Sequence, residues 1–262
     1  MTKKTISDYE RDYRDIGSEI IGFGVERPNN RTGVVCYSAF SQHLNIDIRK
    51  GFPLLTGRKM FEKTFKTEFE WFINGETNIR RFQEAGVKIW DAWADEFGDL
   101  GPVYGYQMLN FNNQSINQLE AVIHSLKHDR DSRRHIISLW NPAQLTEMKL
   151  PPCYLYFQFF VEDNGDLNMF VLQRSADWFL GVPYDVALFS MILLYIAEKT
   201  NLNAKLIDIV FVDAHIYENH IENFIKYCDQ KTYNSPKYTY ENGNLLLKNY
   251  KFGPVITGKV AV

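Results

Sequence analysis

Gln173-Arg174-Ser175-Ala176-Asp177-Trp178-Phe179-Leu180-Gly181-Val182-Pro183-Tyr184-Asp185, taken with Pro151-Pro152-Cys153 upstream, gathers a thiol, an arginine, an Arg-Ser pair of phosphate size and a carboxylate into one short span. A lone cysteine beside a strand reads by default as a small buried hydrophobe. Here Pro151-Pro152 presets the backbone ahead of Cys153, and Arg174-Ser175 closes the next strand. If those two strands form a hairpin, the guanidinium lies near the thiol and favours thiolate, the nucleophilic form.

The elements around this span follow from pattern. Residues 154–161 and 167–173 read as strands joined by the turn pair Asn164-Gly165. Residues 186–200 are apolar nearly all round, which predicts a buried helix. Residues 135–140 and 206–212 read as further strands, and 34–48 as another, broken by Gly51-Phe52-Pro53. Helical rhythm runs through 7–22, behind a Ser/Asp cap, through 63–74 ahead of Gly75, and through 118–127. Strands and helices interleave without a regular βαβ repeat, which predicts an α+β layer fold. No Pro/Gly/Ser-rich linker divides the 262 residues, so one domain over 1–262 is expected.

Composition narrows the class. Hydrophobic residues make up 45% and charged residues 23%, the balance of an ordinary globular protein. The longest apolar-rich run, 186–197, is too short to cross a bilayer. Met1-Thr2-Lys3-Lys4-Thr5 is basic but leads into no apolar segment, so no secretory signal is expected and the location reads as cytoplasmic. Three cysteines in such a chain argue against a disulfide framework, and no Cys/His spacing suggests a metal. A formal net charge of −3 leaves no basic footprint for nucleic acid, so any phosphate is expected to meet a few placed arginines. The 15 Tyr and 19 Phe suit a large packed sheet and a pocket for flat ligands.

Further motifs accompany the opening span: Arg31-Thr32-Gly33, Thr67-Glu68-Phe69-Glu70-Trp71-Phe72, Trp90-Asp91-Ala92-Trp93, Gly101-Pro102-Val103-Tyr104-Gly105, Arg133-Arg134 and Asp213-Ala214-His215-Ile216-Tyr217. Singly they are ordinary: exposed arginines form salt bridges, and tryptophans fill cores. Together, from about residue 31 to the end, they resemble the thymidylate synthases, which add a one-carbon unit to C5 of a pyrimidine nucleotide. The resemblance implies a mixed β-sheet packed with helices, and a homodimer joined sheet to sheet.

It also implies roles. Cys153 would attack C6 of the base, and Glu68 would order water and relay protons. Tyr104 would belong to the network that removes the C5 proton, with Arg174 and Asp185 completing the catalytic set. The nucleotide would be held by Arg31, Arg174, Gln173 and Ser175, and by Arg133 and Arg134 reaching the neighbouring subunit's phosphate. His215 and Tyr217 would hold the ribose 3′-hydroxyl, and Asp185 would face the base. The implied cosubstrate is 5,10-methylenetetrahydrofolate. Trp90 and Trp93 would meet its rings, with Leu150, Leu180, Gly181 and Tyr184 nearby, and Asp177 would bond the pterin. Arg58 stands in place of a usual lysine near the glutamate tail. Ala261, in Val260-Ala261-Val262, belongs to the tail that folds over bound folate.

Two positions depart from the family. Tyr154 follows the cysteine where the family has His, and Asp185 stands where it has Asn. Tyr154 reads equally as a strand residue facing the core. Asp185, just ahead of an apolar helix, reads on its own as an N-cap. Facing a base, a protonated carboxyl donates to cytosine N3 and accepts from its N4 amino group, whereas an ionised one opposes uracil O4. The Asp185 departure is a hallmark of the deoxycytidylate branch, known from phage-type hydroxymethylases. Together with the Tyr154 departure and the frequency of hydroxymethylases in that branch, and against the intact Trp90, Trp93 and tail that suit hydride transfer, it implies 5-hydroxymethyl-dCMP as product (formed in the host cytoplasm if the chain is phage-encoded). Reductive methylation to 5-methyl-dCMP, an ordinary thymidylate synthase acting on dUMP, and a catalytically silent nucleotide- or RNA-binding relative stay open. The last is disfavoured because Cys153, Arg174, Glu68 and Tyr104 are all present.

Overall fold

A computed structural model describes residues 7–28 and 32–260. The chain runs α1 (Asp8–Phe23), β1 (Val25–Arg27), β2 (Cys36–Asp47), α2 (Glu62–Ile73), α3 (Arg80–Ala85), α4 (Gly105–Leu109) and α5 (Gln118–His128). It continues through β3 (Ile136–Ser138), β4 (Tyr154–Val161), β5 (Asp166–Gln173), β6 (Ala176–Asp177), α6 (Val182–Thr200) and β7 (Asn203–Tyr217). Last come α7 (Glu218–Cys228), β8 (Lys237–Glu241) and β9 (Asn244–Lys248). One mixed sheet has the order β1-β2-β7-β5-β4-β3, with β6 added beside β7, while β8 and β9 form a separate hairpin. The α+β expectation holds.

The long strand β7 organises the sheet. It runs antiparallel to β2 and parallel to β5 and β6. A parallel pair needs a crossover, and α6 supplies it between β5 and β7. Because that helix lies against β5 and β7 on one side and α2 and α5 on another, nearly every side chain on it is buried, as its unbroken apolar sequence requires. Its one interior hydroxyl, Ser190, bonds back to Val186 O at 2.8 Å. The sheet face under α6 carries Phe157, Phe159, Leu167, Met169, Val171, Ile207, Ile209 and Phe211, all buried. Alternate residues turn to the other face, where Tyr156, Phe170, Leu172 and Val210 are half-buried and Phe160 is 66% exposed.

Several bounds differ from expectation. The apolar helix begins at Val182, not at 186, because Pro183 fits its first turn and Gly181 serves as its N-cap. Asp185 therefore lies inside the first turn and does not cap the helix. β7 extends to Tyr217, since β2 continues to pair with it as far as Cys36↔Tyr217. The strand expected at 135–140 shortens to three residues. The hairpin β8–β9 turns on Asn242 and Gly243, both at positive φ, an Asn-Gly signal as plain as the one at 164–165. Among the described residues no helix is long and apolar enough to cross a membrane.

A buried carboxylate ties the N-terminal helix to the rest. Glu10 accepts from Thr56 N at 3.0 Å, Thr56 Oγ1 at 2.5 Å, Gly57 N at 2.8 Å and the Tyr227 hydroxyl at 2.8 Å, with Arg14 at 3.6 Å. Removing such an acceptor strands four buried donors and a guanidinium. Glu10→Ala is expected to cost about 3 kcal/mol or more, read as a fall in the urea midpoint, and Glu10→Gln, which keeps an oxygen, should cost less.

Candidate active site

Sheet register brings the first two groups together. In the β4–β5 hairpin Tyr154 pairs with Gln173, so Cys153 stands opposite Arg174, whose backbone N–H donates to Cys153 O at 2.8 Å. The Arg174 side chain turns back on the same loop. Its Nε donates to Pro152 O and its Nη2 to Pro151 O, both at 2.9 Å, and the guanidinium lies 5.5 Å from the Trp140 ring centre. The arginine thus clamps the Pro-Pro carbonyls that present Cys153. On the other side, the Tyr104 hydroxyl accepts from Cys153 N at 3.1 Å.

Tyr104 pays for this placement in backbone strain, with φ 40° and ψ −104° at the start of α4. A Cβ on the next residue, Gly105, would fall 2.0 Å from Phe72 O. Contact between α2 and α4 is therefore close enough to demand glycine there and to hold the tyrosine in its unusual conformation.

A cavity of about 240 Å³ opens beside these groups. One half is apolar, formed by Ile89, Trp90, Trp93, Leu150, Leu180, Tyr184 and Val260. The other half carries Glu68, Tyr104, Cys153, Tyr154, Gln173, Ser175, Asp177, Asp185, His215 and Tyr217, with Gly181 between. An adjoining cleft of about 340 Å³ shares Cys153, Ser175, His215 and Tyr217 and adds Arg174, Arg27, Cys36, Ser38 and Asp213. Its Arg27–Asp213 ion pair, at 2.9 Å, joins β1 to β7. Neither Arg27 nor Ser38 stood out in the sequence, and it is the pairing of β1 and β7 with β2 that brings them to the cleft.

Two carboxyls in the wall are held away from their ordinary state. Asp185 keeps some surface on the cavity, but its carboxyl is enclosed, and this burial raises its pKa to about 7. Gln173, whose Nε2 donates to Asp185 Oδ2 at 2.8 Å, pulls the other way, and Asp177 adds to the rise. Glu68 is raised to about 8, first by burial and then by the charge of Asp185. The Trp90 indole, aimed at Glu68 without completing a normal hydrogen bond, tempers that rise. Gln173 also donates to Ser175 O at 3.2 Å, while its buried Oε1 has no partner. Asp177 Oδ1 accepts from Phe179 N and Leu180 N, both at 3.0 Å, and so shapes the turn before α6.

Some expected residues lie elsewhere. Arg58 is not in the cavity wall. It is 3% exposed, stacked 4.3 Å from the Phe179 ring centre, and it donates to Phe179 O and Ile256 O. Its donors fasten the segment around Ile256 to the turn before α6. Arg133 and Arg134 are exposed on the connection between α5 and β3 and line neither opening. Arg31 and Ala261 lie outside the described residues.

The thymidylate synthase family model matches residues 11–262. This chain belongs to the thymidylate synthase family. With membership comes the general chemistry of thymidylate synthases: folate-dependent transfer of a one-carbon unit to C5 of a pyrimidine nucleotide, with methylenetetrahydrofolate as cosubstrate. The two openings meet at Cys153, Ser175, His215 and Tyr217.

The raised carboxyls also fix how stability should vary with pH. Between its ordinary 4.5 and about 8, folded Glu68 keeps a proton that the unfolded chain has released. Its contribution is fully present below the lower value and is lost as pH rises to the upper one. Glu68→Gln cannot ionise. Its Tm relative to wild type is therefore expected to climb as pH rises through that window and to level off above it, as scanning calorimetry would record. A difference that stays flat with pH would mean that Glu68 is not held protonated.

Proposed function

We propose that the protein transfers the one-carbon unit to C5 of dCMP and releases 5-hydroxymethyl-dCMP. The observation that carries this reading is the enclosed Asp185 carboxyl. Gln173 donates to Oδ2, which leaves the proton to Oδ1, and burial keeps that proton in place up to about pH 7. A neutral carboxyl gives one donor and one acceptor side by side. Cytosine N3 takes the O–H, and its N4 amino group donates to the remaining oxygen. The proton shared with N3 draws electrons from C6, which is the carbon that Cys153 attacks in this reading.

The other roles follow from position. Arg174 holds the loop of Cys153 and lines the second cleft, where Ser175 and Arg27 offer further donors to a phosphate. His215 and Tyr217, on one face of β7, line both openings and suit the sugar between base and phosphate. The apolar half fits a flat heteroaromatic cosubstrate. The Trp90 and Trp93 indole N–H groups are buried there without acceptors, and Asp177, Leu180 and Tyr184 complete its wall. The folate would supply the one-carbon unit, while the chain orients both ligands and excludes water.

Reductive methylation is the second reading, favoured by that same apolar wall, because hydride transfer needs a dry site. A homodimer is part of the proposal as well. The half-buried apolar face of the sheet, with Phe160 exposed on it, suits a second copy, and Arg133 and Arg134 are exposed and available to a neighbour's phosphate.

Two experiments test these assignments. Wild type should prefer dCMP over dUMP in kcat/KM, and Asp185→Asn should reverse or collapse the preference by up to roughly 10⁴. Unchanged discrimination in the variant would defeat the cytidylate assignment, and mass spectrometry of the nucleotide identifies the product. For the dimer, Cys153→Ser and Arg133→Ala are each expected to be inactive alone and to recover partial activity when mixed, since one hybrid site keeps both residues. No recovery in mixed dimers would remove the cross-subunit role of Arg133.

A further inference from the structure

Beside Cys153 and Glu68 the cavity wall carries an aromatic hydroxyl whose ring is closely packed. Tyr154 is 3% exposed. Its ring is gripped by Tyr104 at 4.8 Å, Phe189 at 5.0 Å, Phe157 at 5.9 Å and Phe72 at 6.2 Å between ring centres. Among the described residues its hydroxyl makes no hydrogen bond, yet the residue lines the cavity beside Cys153 and Glu68. A phenylalanine would satisfy the aromatic packing equally well. The ring contacts fix the residue in the cavity wall, so the packed ring cannot turn the hydroxyl toward another partner. A hydroxyl held in that wall can donate to a water or ligand atom in the cavity.

The surroundings keep that donor in its protonated form. Burial, then the acids Tyr104, Glu68, Asp185 and Cys153 around it, hold the phenol well above its ordinary value. No cation among the groups acting on it opposes the shift.

We propose that Tyr154 positions the water that attacks the one-carbon unit on C5, and that its hydroxyl thereby directs the product toward hydroxymethyl instead of methyl. This rests on the hydroxymethylation reading above. In the step concerned, the base is joined through C6 to Cys153 and carries an exocyclic methylene on C5. Water accepts the Tyr154 O–H with one lone pair and attacks the methylene carbon with the other. A C–O bond forms, and the methylene π pair moves into the ring and onward to expel the Cys153 thiolate from C6, restoring the C5–C6 double bond. The proton lost by the water goes to the ionised form of Glu68. Nothing is oxidised or reduced. Hydride delivery to the same carbon needs no polar seat there.

Single-turnover assays with enzyme in excess, methylenetetrahydrofolate and dCMP tritiated at C5 separate the steps. Tritium release reports everything up to loss of the C5 proton, and mass spectrometry counts the hydroxymethylated and methylated nucleotides. Tyr154→Phe should release tritium at close to the wild-type rate, while formation of hydroxymethyl product falls about tenfold or more. If tritium release and product formation fall together, Tyr154 serves packing alone and the proposal is overturned. It is equally overturned if neither changes. Should the phenylalanine variant not fold, Tyr154→Met, which fills the space with a flexible apolar chain, is read by the same two measurements. A wild-type enzyme that forms no hydroxymethylated nucleotide from dCMP would instead remove the function proposed above, and this step with it.

Discussion

The parallel pairing of β5 with β7 constrains everything around the cavity. Two parallel strands in one sheet are joined by a crossover, and here it is α6, whose apolar surface has nowhere to lie but on the strands it connects. The carboxyl ends of β5 and β7 and the start of α6 must then converge. Gln173 ends β5, Asp177 ends the short β6, Asp185 sits in the first turn of α6, and His215 and Tyr217 end β7. The antiparallel partner β4 begins at the same end, which delivers Cys153. Crevices beyond the carboxyl ends of strands at such a crossover are habitual ligand sites, and this one collects polar groups from elements far apart in the chain.

Enclosure and charge oppose each other inside that crevice. Burial favours the neutral form of each acid, as Glu68 and Asp185 show. The Arg174 guanidinium, in the adjoining cleft, has two of its donors committed to the Pro151 and Pro152 carbonyls and so holds backbone geometry. The cavity wall thus offers neutral donors and acceptors more than fixed charge. Positive charge is displaced to the adjoining cleft, where Arg174 and Arg27 stand.

Much of this was legible in the chain, and the parts that were not have physical reasons. The Asn-Gly turn at 164–165 announced the β4–β5 hairpin, and the hairpin register placed Cys153 against Arg174. The buried character of α6 followed from its unbroken apolar run. Its start did not, because Pro183 suits the first turn of a helix as well as the loop before one. Arg58 was expected near a ligand, but a guanidinium can be buried when carbonyls and an aromatic face receive it, and long-range contacts with Phe179 and Ile256 leave no local signal. Arg27 and Asp213 meet only because β1 and β7 flank β2. The setting of Tyr154 depends on rings from α2, α6 and the residue before α4 as well as Phe157 of its own strand, and no local pattern encodes those long-range contacts.

One consequence lies in where Asp185 sits within its helix. Gly181 caps α6, so the residue at 185 bears no part of starting it, and a carboxamide oxygen could receive the Gln173 donor as the carboxylate oxygen does. Aspartate and asparagine codons differ by a single base. A lineage could therefore cross between the two side chains in one mutational step with the start of α6 left as it is.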